Sequence, residues 1–459
     1  MNKFVNRNKE TERIGRALSS DKPVLIVVYG RRRCGKSTLL RRLLTEKDIY
    51  FAADLREPSL QIEALAKSID LIVTGFSAVT YPDWESLFLN LNNTIKSKTT
   101  VCLDEFPYLV KNSPELPSVL QKIVDDRTHR NFNIILCGSS QQMMHSMTLD
   151  STSPLYGRSD EVLRVNPMHV AYLKEYLDVS DEDAIAEFGV WGGVPRYWEI
   201  RKSLTSLEEA IKYQLINPDG ILYEEPSRLF LDEMRTSMQA SSVLSLIGGG
   251  SHRISEIGGR IGKPATQLSR ILSVLINLGY VKRELPFEES LKSTKKSLYK
   301  IADPFMHFYY TFVLANKSML EYGLTDQVWD KIAERFNQYI SFIWEDICLQ
   351  AVPYLSIGNT SFGAASKWWG NGFDGTPMEI DIAAESADKK TLLIGEVKWT
   401  DKVRINEISN QLITKSSNIP FLKNRKIINI LFLKKAIRNV PDNIRIITPT
   451  DVLIALRKK

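Results

Sequence analysis

The chain has 459 residues, too many for one ordinary hydrophobic core, and this length predicts two to four domains. Hydrophobic residues make up 43% of it, which excludes a largely disordered chain. The formal charge of +6 is mildly basic and permits nucleic acid as a partner without requiring it. The sequence lacks an apolar run of membrane-spanning length, and its charged beginning, MNKFVNRNKE, lacks the apolar core of a secretory signal. We therefore expect a cytoplasmic protein that does not contact a membrane.

The four cysteines point to the same compartment. None forms a CxxC pair, and most lie in or beside apolar runs that read as buried strands. This pattern predicts reduced thiols and argues against a zinc site or a disulfide framework. The cysteines are Cys34, Cys102, Cys137 and Cys348.

The first predicted element is a strand followed by a phosphate-binding loop. The continuous apolar run Val24–Tyr29 is typical of a parallel strand buried on both faces. The next residues, GRRRCGKS, fit the pattern GxxxxGK[ST], in which backbone N–H groups surround phosphate oxygens. Lys36 would reach the β- and γ-phosphates and Ser37 would offer its hydroxyl to Mg²⁺. The residues predicted to bind nucleotide are Gly30, Arg31, Arg32, Arg33, Cys34, Gly35, Lys36, Ser37 and Thr38.

The helix predicted from Thr38 supports this interpretation, because its amino terminus would face the phosphates. The alternative is a chance match on a glycine turn. The order of strand, loop and helix favours the nucleotide site.

A second buried run, Thr100–Leu103, ends in two acids. Ligands of open α/β sheets bind at the carboxyl ends of the strands, so Asp104 is expected in the Mg²⁺ shell. Glu105 would orient or deprotonate the attacking water. The alternative is a pair of solvated loop acids.

Two further features follow along the chain. The apolar run Asn133–Cys137 ends in Gly-Ser-Ser, and Ser139 or Ser140 would sense the γ-phosphate or its water. The equal alternative is a helix N-cap. Arg158 precedes the strand-like Glu161–Val165 and would stabilise transition-state charge in its own or a neighbouring subunit. Its alternative is a surface salt bridge.

Taken in order, NRNKE, GRRRCGKS, LDEFPYL, LCGSS and LYGR resemble the archaeal-type ATPase family, P-loop proteins of the AAA-like class. The resemblance covers roughly the first half of the chain. It implies ATP as the nucleotide, with the residues just after Phe4 packing near the base. The sequence has no NKxD guanine motif.

The middle of the chain predicts a helical lid and then a DNA-reading shape. Short amphipathic helices fill 167–235, and a helix, a Gly-Lys-Pro turn and a second helix follow over 254–278. Strands at 280–284 and 297–301 would complete a winged helix-turn-helix. The exposed face of the second helix and the wing lysines would meet DNA; these residues are Gln267, Ser269, Arg270, Lys292, Lys295 and Lys296.

The alternative use of this region is a protein-binding module or a clamp between moving domains. It remains open because the recognition face is only weakly basic. That face carries Arg270 and, at the start of the helix, Lys263.

The last third predicts a second charged site. Strands over 377–383 and 391–399 are joined by a polar hairpin. Residues two apart in a strand share a face, so Glu396 and Lys398 would project together beside Asp381. Two carboxylates and a lysine suit a Mg²⁺ ion that activates water, with the lysine positioning the nucleophile or neutralising charge. The alternative is an ordinary exposed strand, where E-x-K is common.

This D…(D/E)-x-K arrangement is similar to that of the restriction-endonuclease-like nucleases. That resemblance implies a third acid on a preceding helix, for which Glu345 on the predicted helix 335–350 is the candidate, and a contact from Gln411. The segments YKIADPF, WWG, EIDI and GEVKWT resemble the DUF234 domain, which commonly follows archaeal-type ATPase cores.

The sequence as a whole predicts an α/β protein: a P-loop NTPase parallel sheet with a helical lid, a winged helix-turn-helix and a restriction-endonuclease-like α/β domain. The predicted domains are 1–166, 167–235, 236–303 and 304–459. Two functions fit them. One is an ATP-driven enzyme that acts on DNA through a Mg²⁺-dependent nuclease tail, and the other is an ATP-dependent switch that binds DNA or a protein partner without cutting. A small-molecule kinase is disfavoured, and the oligomeric state stays open.

Overall fold

The protein is described by a computed structural model for residues 5–126, 129–233, 237–290, 292, 296–358, 360–437 and 440–458, without the side chain of Asp232. Phe4 and Lys295, named above, lie outside the described residues. The chain forms two compact units, residues 1–167 with 194–196 (unit 1) and residues 168–193 with 197–459 (unit 2). The finer division into four domains stays a prediction. Across the described ranges, no helix has both the length and the apolar character needed to cross a bilayer.

Unit 1 is built of parallel strands and the helices between them. Its strands are β1 (Leu25–Tyr29), β2 (Ile49–Ala52), β3 (Thr99–Asp104), β4 (Phe132–Gly138) and β5 (Glu161–Arg164). Its helices are α1 (Asn8–Leu18), α2 (Lys36–Leu43), α3 (Pro58–Asp70), α4 (Trp84–Thr94), α5 (Phe106–Asn112), α6 (Leu116–Asp125) and α7 (Gln141–Met144).

The sheet of unit 1 has the order β2-β3-β4-β1-β5, with every neighbouring pair parallel. Residues of β3 and β4 are buried throughout, as their uninterrupted apolar runs predict. Because β4 lies between β1 and β3, the residues that follow β4 come between the P-loop and Asp104. The predicted position of this serine segment is confirmed.

The core of unit 1 lies against the helices that cover β3 and β4. In α4 the apolar residues recur at helical spacing and are buried, while Asp83 caps the helix by accepting a hydrogen bond from the Ser86 N–H at 2.7 Å. The rings of Trp84 and Phe88 stack, and Phe88 stacks in turn on Phe132 of β4. This packing fixes the helical layer to the sheet.

Unit 2 is mostly helical, with two separate sheets. Its helices are α8 (Leu173–Leu177), α9 (Asp181–Trp191), α10 (Pro195–Lys202), α11 (Leu207–Gln214), α12 (Glu225–Glu233), α13 (Ser237–Gly248), α14 (Ile254–Ile261), α15 (Ala265–Asn277), α16 (Pro304–Phe308), α17 (Lys317–Glu321), α18 (Thr325–Ala351), α19 (Ile405–Ser417) and α20 (Pro449–Leu456). Its strands are β6 (Val281–Glu284), β7 (Leu298–Ile301), β8 (Ser366–Asn371), β9 (Pro377–Glu385), β10 (Thr391–Lys398), β11 (Lys426–Leu433) and β12 (Ile444–Ile447).

Helices α14 and α15 occupy the positions predicted for a helix-turn-helix, and β6 pairs with β7 in antiparallel register. The buried residues of α15 are Leu268, Ile271, Leu272 and Leu275, so its polar face is exposed as the pattern predicts.

The segment that leaves β6 is fastened to the C-terminal sheet. The Phe287 N–H donates to the Lys367 carbonyl on β8 at 2.8 Å. The Phe287 ring lies 5.2 Å from that of Phe421, against the core of the same sheet. Lys292 and Lys296 are exposed, and Lys296 pairs with Glu289 at 3.0 Å.

The C-terminal sheet has the order β12-β11-β10-β9-β8. Strands β8, β9 and β10 are antiparallel neighbours, whereas β10, β11 and β12 run parallel, with α19 connecting β10 to β11. Helix α18 packs on β9 and β10. It begins at Thr325, ten residues before the predicted start, because its buried stripe continues upstream through Ile332 and Val328.

Candidate nucleotide site and C-terminal carboxylate cluster

The P-loop of unit 1 is shaped by close backbone approach. Gly30 has φ +151°, and a side chain there would place its Cβ 2.3 Å from the Val165 carbonyl oxygen, so only glycine fits. Gly35 has φ +86° and immediately precedes α2. The loop therefore ends at the amino terminus of a helix, where backbone N–H groups are available to an anion.

Lys36 is folded over this loop and is buried. Its Nζ donates to the carbonyl oxygens of Gly30 and Arg31, at 2.7 and 3.0 Å. A phosphate oxygen at the loop would offer the ammonium a charged acceptor in place of these carbonyls.

The side chains of the three consecutive arginines have different environments. Arg31 is buried, Arg32 donates to the Tyr108 hydroxyl, and Arg33 is exposed with φ +64°. They do not form one cationic surface.

Arg7 braces the loop from the segment before α1. This guanidinium is buried and donates to the carbonyl oxygens of Cys34, at 2.9 Å, and Asn166, at 2.8 Å. It also pairs with Glu10 at 2.7 Å. The motif NRNKE marks this segment in the sequence, but the sequence does not reveal what Arg7 contacts.

Asp104 lies at the carboxyl end of β3, as predicted, and is surrounded by uncharged donors. Its carboxylate accepts from the Tyr50 hydroxyl and, at 2.9 Å, from the Glu105 N–H, and it is hydrogen-bonded to Ser37 and Cys137. Burial alone would raise the pKa of Asp104, but the side-chain hydrogen bonds outweigh it and hold the pKa below its ordinary value. An ionised carboxylate beside a serine hydroxyl suits the hard oxygen coordination of Mg²⁺, so the residues present fit this ion.

For the serines after β4 the sequence predicted either a place in the nucleotide site or a helix N-cap, and the structure gives the two serines different positions. Ser139 Oγ donates to Glu105 Oε2 at 2.8 Å, which places Ser139 in the candidate site. Ser140 caps α7 by accepting from the Met143 N–H at 3.4 Å. Glu105 itself has φ +52°, a strained conformation for a side chain of this type.

Arg158 is not brought to the P-loop of its own chain. It makes a two-pronged ion pair with Asp125, with nitrogen–oxygen distances of 2.7 and 2.9 Å. Asp125 ends α6 before β4 begins, and Arg158 precedes β5, so both lie at the amino edge of the parallel strands. The P-loop lies at the opposite edge, about 17 Å away along the five residues of β1. A role in the same subunit is therefore not supported, and a role in a neighbouring subunit stays a prediction.

In unit 2, the predicted strand pair brings together the predicted charged residues. Lys398 Nζ lies 2.6 Å from Glu396 Oε1, which confirms that these two side chains share a face of β10. Asp381 on β9 accepts from the Val397 N–H at 2.9 Å. Lys415 of α19, which sequence reasoning missed, lies 2.9 Å from Glu396 Oε2. It is one turn beyond the exposed Gln411, on the same face of the helix.

Glu345 on α18 joins this group. It is ion-paired with Lys367 of β8. Burial raises the pKa of Glu345 to about 7, with Lys367 opposing and the charge of Asp381 adding to the shift. The pKa of Asp381 is likewise raised, by burial and by the charge of Glu396. These shifts place the acids within electrostatic reach of one another.

We define Glu345, Asp381 and Glu396 as the carboxylate cluster, and lysines already pair with two of these acids. Both oxygens of Glu396 are paired with lysines, and Lys367 occupies Glu345. In the part of the chain that the structure describes, no three His, Cys, Asp or Glu side chains are grouped to hold a metal ion. A divalent ion at the cluster would have to displace lysines from Glu345 and Glu396, and the predicted metal role stays a prediction.

Two families match parts of this chain. Residues 4–199 match the family described as an ATPase domain found predominantly in Archaea. Residues 309–410 match DUF234, described as archaeal and bacterial proteins of unknown function.

Two proteins of one archaeon are similar to this chain. The chain is 31% identical over 404 residues to the uncharacterised protein MJECL04 of Methanocaldococcus jannaschii, covering 87% of this chain and 88% of that protein. A second protein of that organism, the uncharacterised ATP-binding protein MJ0423, is 46% identical over 50 residues, which are 11% of this chain and 85% of its own.

A solved structure supports the fold. The Walker-type ATPase PABY2304 of Pyrococcus abyssi superimposes with a TM-score of 0.52 at 22% identity, over 67% of this chain and 96% of that one. With a parallel sheet, a P-loop and an acid-tipped β3 in one unit and the DUF234 segment in the other, the chain belongs to the archaeal-type P-loop ATPases that carry a C-terminal DUF234 domain.

Proposed function

We propose that this protein binds and hydrolyses ATP in unit 1 and uses the nucleotide to control an action of unit 2 on DNA. The observation that carries the first part is the juxtaposition of Ser37, Asp104 and Glu105 at the carboxyl edge of the sheet, beside Lys36. A hydroxyl, an ionised carboxylate, a second acid and an ammonium are the groups that phosphoryl transfer to water requires.

Each group has a distinct task in this proposal. Lys36 leaves the loop carbonyls for the β- and γ-phosphates. Ser37 and Asp104 would hold Mg²⁺, which when bound neutralises charge on the phosphates. Glu105 leaves Ser139 and orients or deprotonates the attacking water, while Ser139 is freed to contact the γ-phosphate.

The test is ATP hydrolysis by the full chain and by Glu105→Gln, with Glu115→Gln as a matched control at an exposed acid on the loop before α6. We expect Glu105→Gln to lower kcat by about 100-fold or more while nucleotide binding persists, because it removes only the water-activating carboxylate. Equal rates in the two variants would remove Glu105 from the mechanism, and no hydrolysis by the wild type would defeat the ATPase proposal.

Action on DNA is supported by the exposed polar face of α15. Gln267, Ser269 and Arg270 are all exposed there, and Arg260 of α14 is exposed as well. These are side chains that contact base edges or phosphates. The test is fluorescence anisotropy of labelled duplex DNA with wild type, Arg270→Ala and Lys331→Ala, an exposed lysine of α18. A loss confined to Arg270→Ala supports α15 as the reading element, whereas identical binding by all three would refute it.

For the carboxylate cluster we propose a metal-dependent nuclease-like site, because Asp381, Glu396 and Lys398 converge on one pair of strands. The strand order, with antiparallel β8, β9 and β10 and a crossover through α19 to parallel β11, is compatible with that fold.

A second candidate function is an ATP-dependent switch that binds DNA or a protein partner and cuts nothing. Two observations favour it. Lysines already pair with Glu345 and Glu396. The connection that leaves β6 is docked through Phe287 on β8, as in a clamp between modules.

Cleavage of single- and double-stranded DNA with Mg²⁺ or Mn²⁺, with and without ATP, separates the two candidates. Wild type is compared with Lys398→Ala and with Lys402→Ala, which removes an exposed lysine just beyond β10. Metal-dependent cleavage that is lost in Lys398→Ala and kept in Lys402→Ala supports the nuclease. An absence of cleavage alongside intact ATP hydrolysis supports the switch.

A further inference from the structure

One side chain at the nucleotide site has no part in the mechanism proposed above. Tyr50 lies on β2, the edge strand, opposite Cys102 of β3 in parallel register. Side chains two apart on a strand share a face, so Asp104 projects on the same face as Cys102 and within reach of Tyr50. The Tyr50 hydroxyl donates to Asp104 Oδ2.

The phenol also contacts the P-loop helix. Its hydroxyl is hydrogen-bonded to Ser37 and to Arg41 of α2, in addition to Asp104. The Arg41 guanidinium lies over the tyrosine ring, 4.5 Å from the centroid. Tyr50 therefore touches both side chains that would hold Mg²⁺, Ser37 and Asp104. Its ring is held in place by Arg41, which is on the same helix as Ser37.

We propose that Tyr50 is a positioning residue for the magnesium ion of the bound nucleotide, acting through Asp104 and Ser37. This inference rests on the proposed function, because it requires unit 1 to bind a nucleotide with its metal. The Tyr50 hydroxyl holds Asp104 Oδ2 while the Glu105 N–H holds Oδ1 at 2.9 Å, so the carboxylate cannot rotate freely. The oxygen lone pairs that remain are directed before the ion arrives, which reduces the cost of ordering them on binding.

A purely structural tyrosine would have a different signature. If the hydroxyl served only to satisfy a buried carboxylate, its removal would lower the stability of unit 1 but would not distinguish ADP from Mg-ADP. A positioning residue must change the gain in affinity that Mg²⁺ gives the nucleotide. The informative quantity is thus the ratio of the dissociation constants of ADP in excess EDTA and in excess Mg²⁺.

The experiment is calorimetric titration of ADP into the full chain under both conditions, for wild type, Tyr50→Phe and Tyr81→Phe. The last variant is the matched control, since the Tyr81 hydroxyl also makes hydrogen bonds in unit 1, donating to the Phe76 carbonyl at 3.0 Å and accepting from Asn90 at 2.7 Å. In Tyr50→Phe we expect the ratio to fall by roughly tenfold, the effect of one hydrogen bond to a charged group, with metal-free affinity within about twofold of wild type. Tyr81→Phe should keep the wild-type ratio.

Several results would overturn the proposal. The first is an unchanged ratio in Tyr50→Phe, either with wild-type affinities or with an equal loss of affinity in both conditions, which would mean that Tyr50 contacts the nucleotide and not the metal site. The second is a wild type whose ADP affinity does not respond to Mg²⁺. Failure of the wild type to bind ADP at all would instead defeat the proposed function, and this inference with it.

A double variant tests whether Tyr50 acts through Asp104. Once Asp104→Asn has removed the carboxylate, adding Tyr50→Phe should lower the ratio by much less than tenfold, because coupled residues are not additive and only the contact with Ser37 remains. A full additional tenfold loss would show that Asp104 does not transmit the effect of Tyr50 and would overturn the assignment.

Discussion

Both units place acids at or near the end of a buried strand, yet they hold those acids in opposite ways. In unit 1, Asp104 is held by hydroxyl, thiol and amide donors, and Lys36 binds backbone carbonyls rather than an acid. In unit 2, Glu396 is held by Lys398 and Lys415. In unit 1 the lysine and the carboxylate are not paired with each other, whereas in unit 2 the lysines form ion pairs with the carboxylate.

This difference bears on what each site can accept. A neutral donor keeps a carboxylate ionised without cancelling its charge, so a cation can still be attracted to it. A lysine paired with a carboxylate must be displaced before a cation can bind there, and that displacement reduces the affinity. Unit 1 is thus preorganised for a charged ligand, and the carboxylate cluster would have to rearrange to bind one.

The largest expected effect tests the preorganised side of this comparison. Replacing Lys36 by Ala should lower ATP hydrolysis by about 1000-fold, roughly 4 kcal/mol, because it removes the ammonium that meets the phosphates. The measurement is phosphate release under saturating ATP. Lys47→Ala, at an exposed lysine shortly after α2, is the control and should keep the wild-type rate. Retention of a tenth or more of the activity in Lys36→Ala would contradict the assignment.

The next prediction tests the carboxylate cluster, two of whose acids are paired with lysines. Lys367→Met should destabilise the chain by about 3 kcal/mol, because it leaves Glu345 largely buried without its cation. Lys398→Met should cost less than about 1 kcal/mol, since Lys398 is more exposed and Glu396 keeps Lys415. Urea unfolding of the two variants provides the comparison. Equal costs would mean that burial does not distinguish the two pairs.

A pH-dependent effect of similar size sharpens the contrast between the units. Burial lowers the pKa of His307 on α16 to about 4, with the charges of Lys282, His252 and Lys300 also lowering it and that of Asp346 opposing. Between the two pKa values, His307 is therefore protonated in the unfolded chain and neutral in the folded chain. Its stabilising contribution is complete above the unfolded pKa of about 6.5 and is lost as the pH falls towards 4, by about 3 kcal/mol in all. The lowered pKa of Asp104 in unit 1 acts in a more acidic range, below about 4.

The measurement is the unfolding free energy of wild type and His307→Gln between pH 4 and 7. Wild type should lose about 3 kcal/mol more than the variant over this range. Comparison with the variant is essential because the raised pKa of Glu345 acts in the opposite direction over the same interval. Parallel curves for the two proteins would show that His307 is not the group responsible.

The sequence predicted those parts of the sites that depend on one element and its end. Strand direction predicts the P-loop, the acids at the end of β3 and the serines after β4. The alternation of side chains along a strand predicts the shared face of Glu396 and Lys398. Tyr50, Lys367 and Lys415 could not be found in this way. Their partners are set by which strands and helices become neighbours, and nothing local in the sequence indicates that β2 lies beside β3 or that α19 packs on β10.

Arg158 shows how strand direction separates two predicted roles, because the sequence left both a nucleotide contact and a surface salt bridge open for it. Arg158 precedes β5, and a residue that precedes a parallel strand lies at the amino edge of the sheet, away from the P-loop. This position agrees with the predicted salt bridge, which Arg158 makes with Asp125, and a nucleotide contact in a neighbouring subunit stays a prediction. The partner Asp125 ends α6, which returns the chain to that same edge.

The smallest expected effect decides what Arg158 does. If its role is the ion pair with Asp125, then Arg158→Gln and Asp125→Asn should behave alike. Each should cost less than about 1 kcal/mol of stability, because Asp125 is half-exposed, and each should leave ATP hydrolysis within about twofold of wild type. If Arg158 instead reaches the nucleotide of a neighbouring subunit, only Arg158→Gln loses activity, and the wild-type rate per chain rises with protein concentration. Hydrolysis measured over a hundredfold range of concentration for all three proteins separates the outcomes, since an ion pair is lost equally from either end whereas a catalytic cation is lost from one.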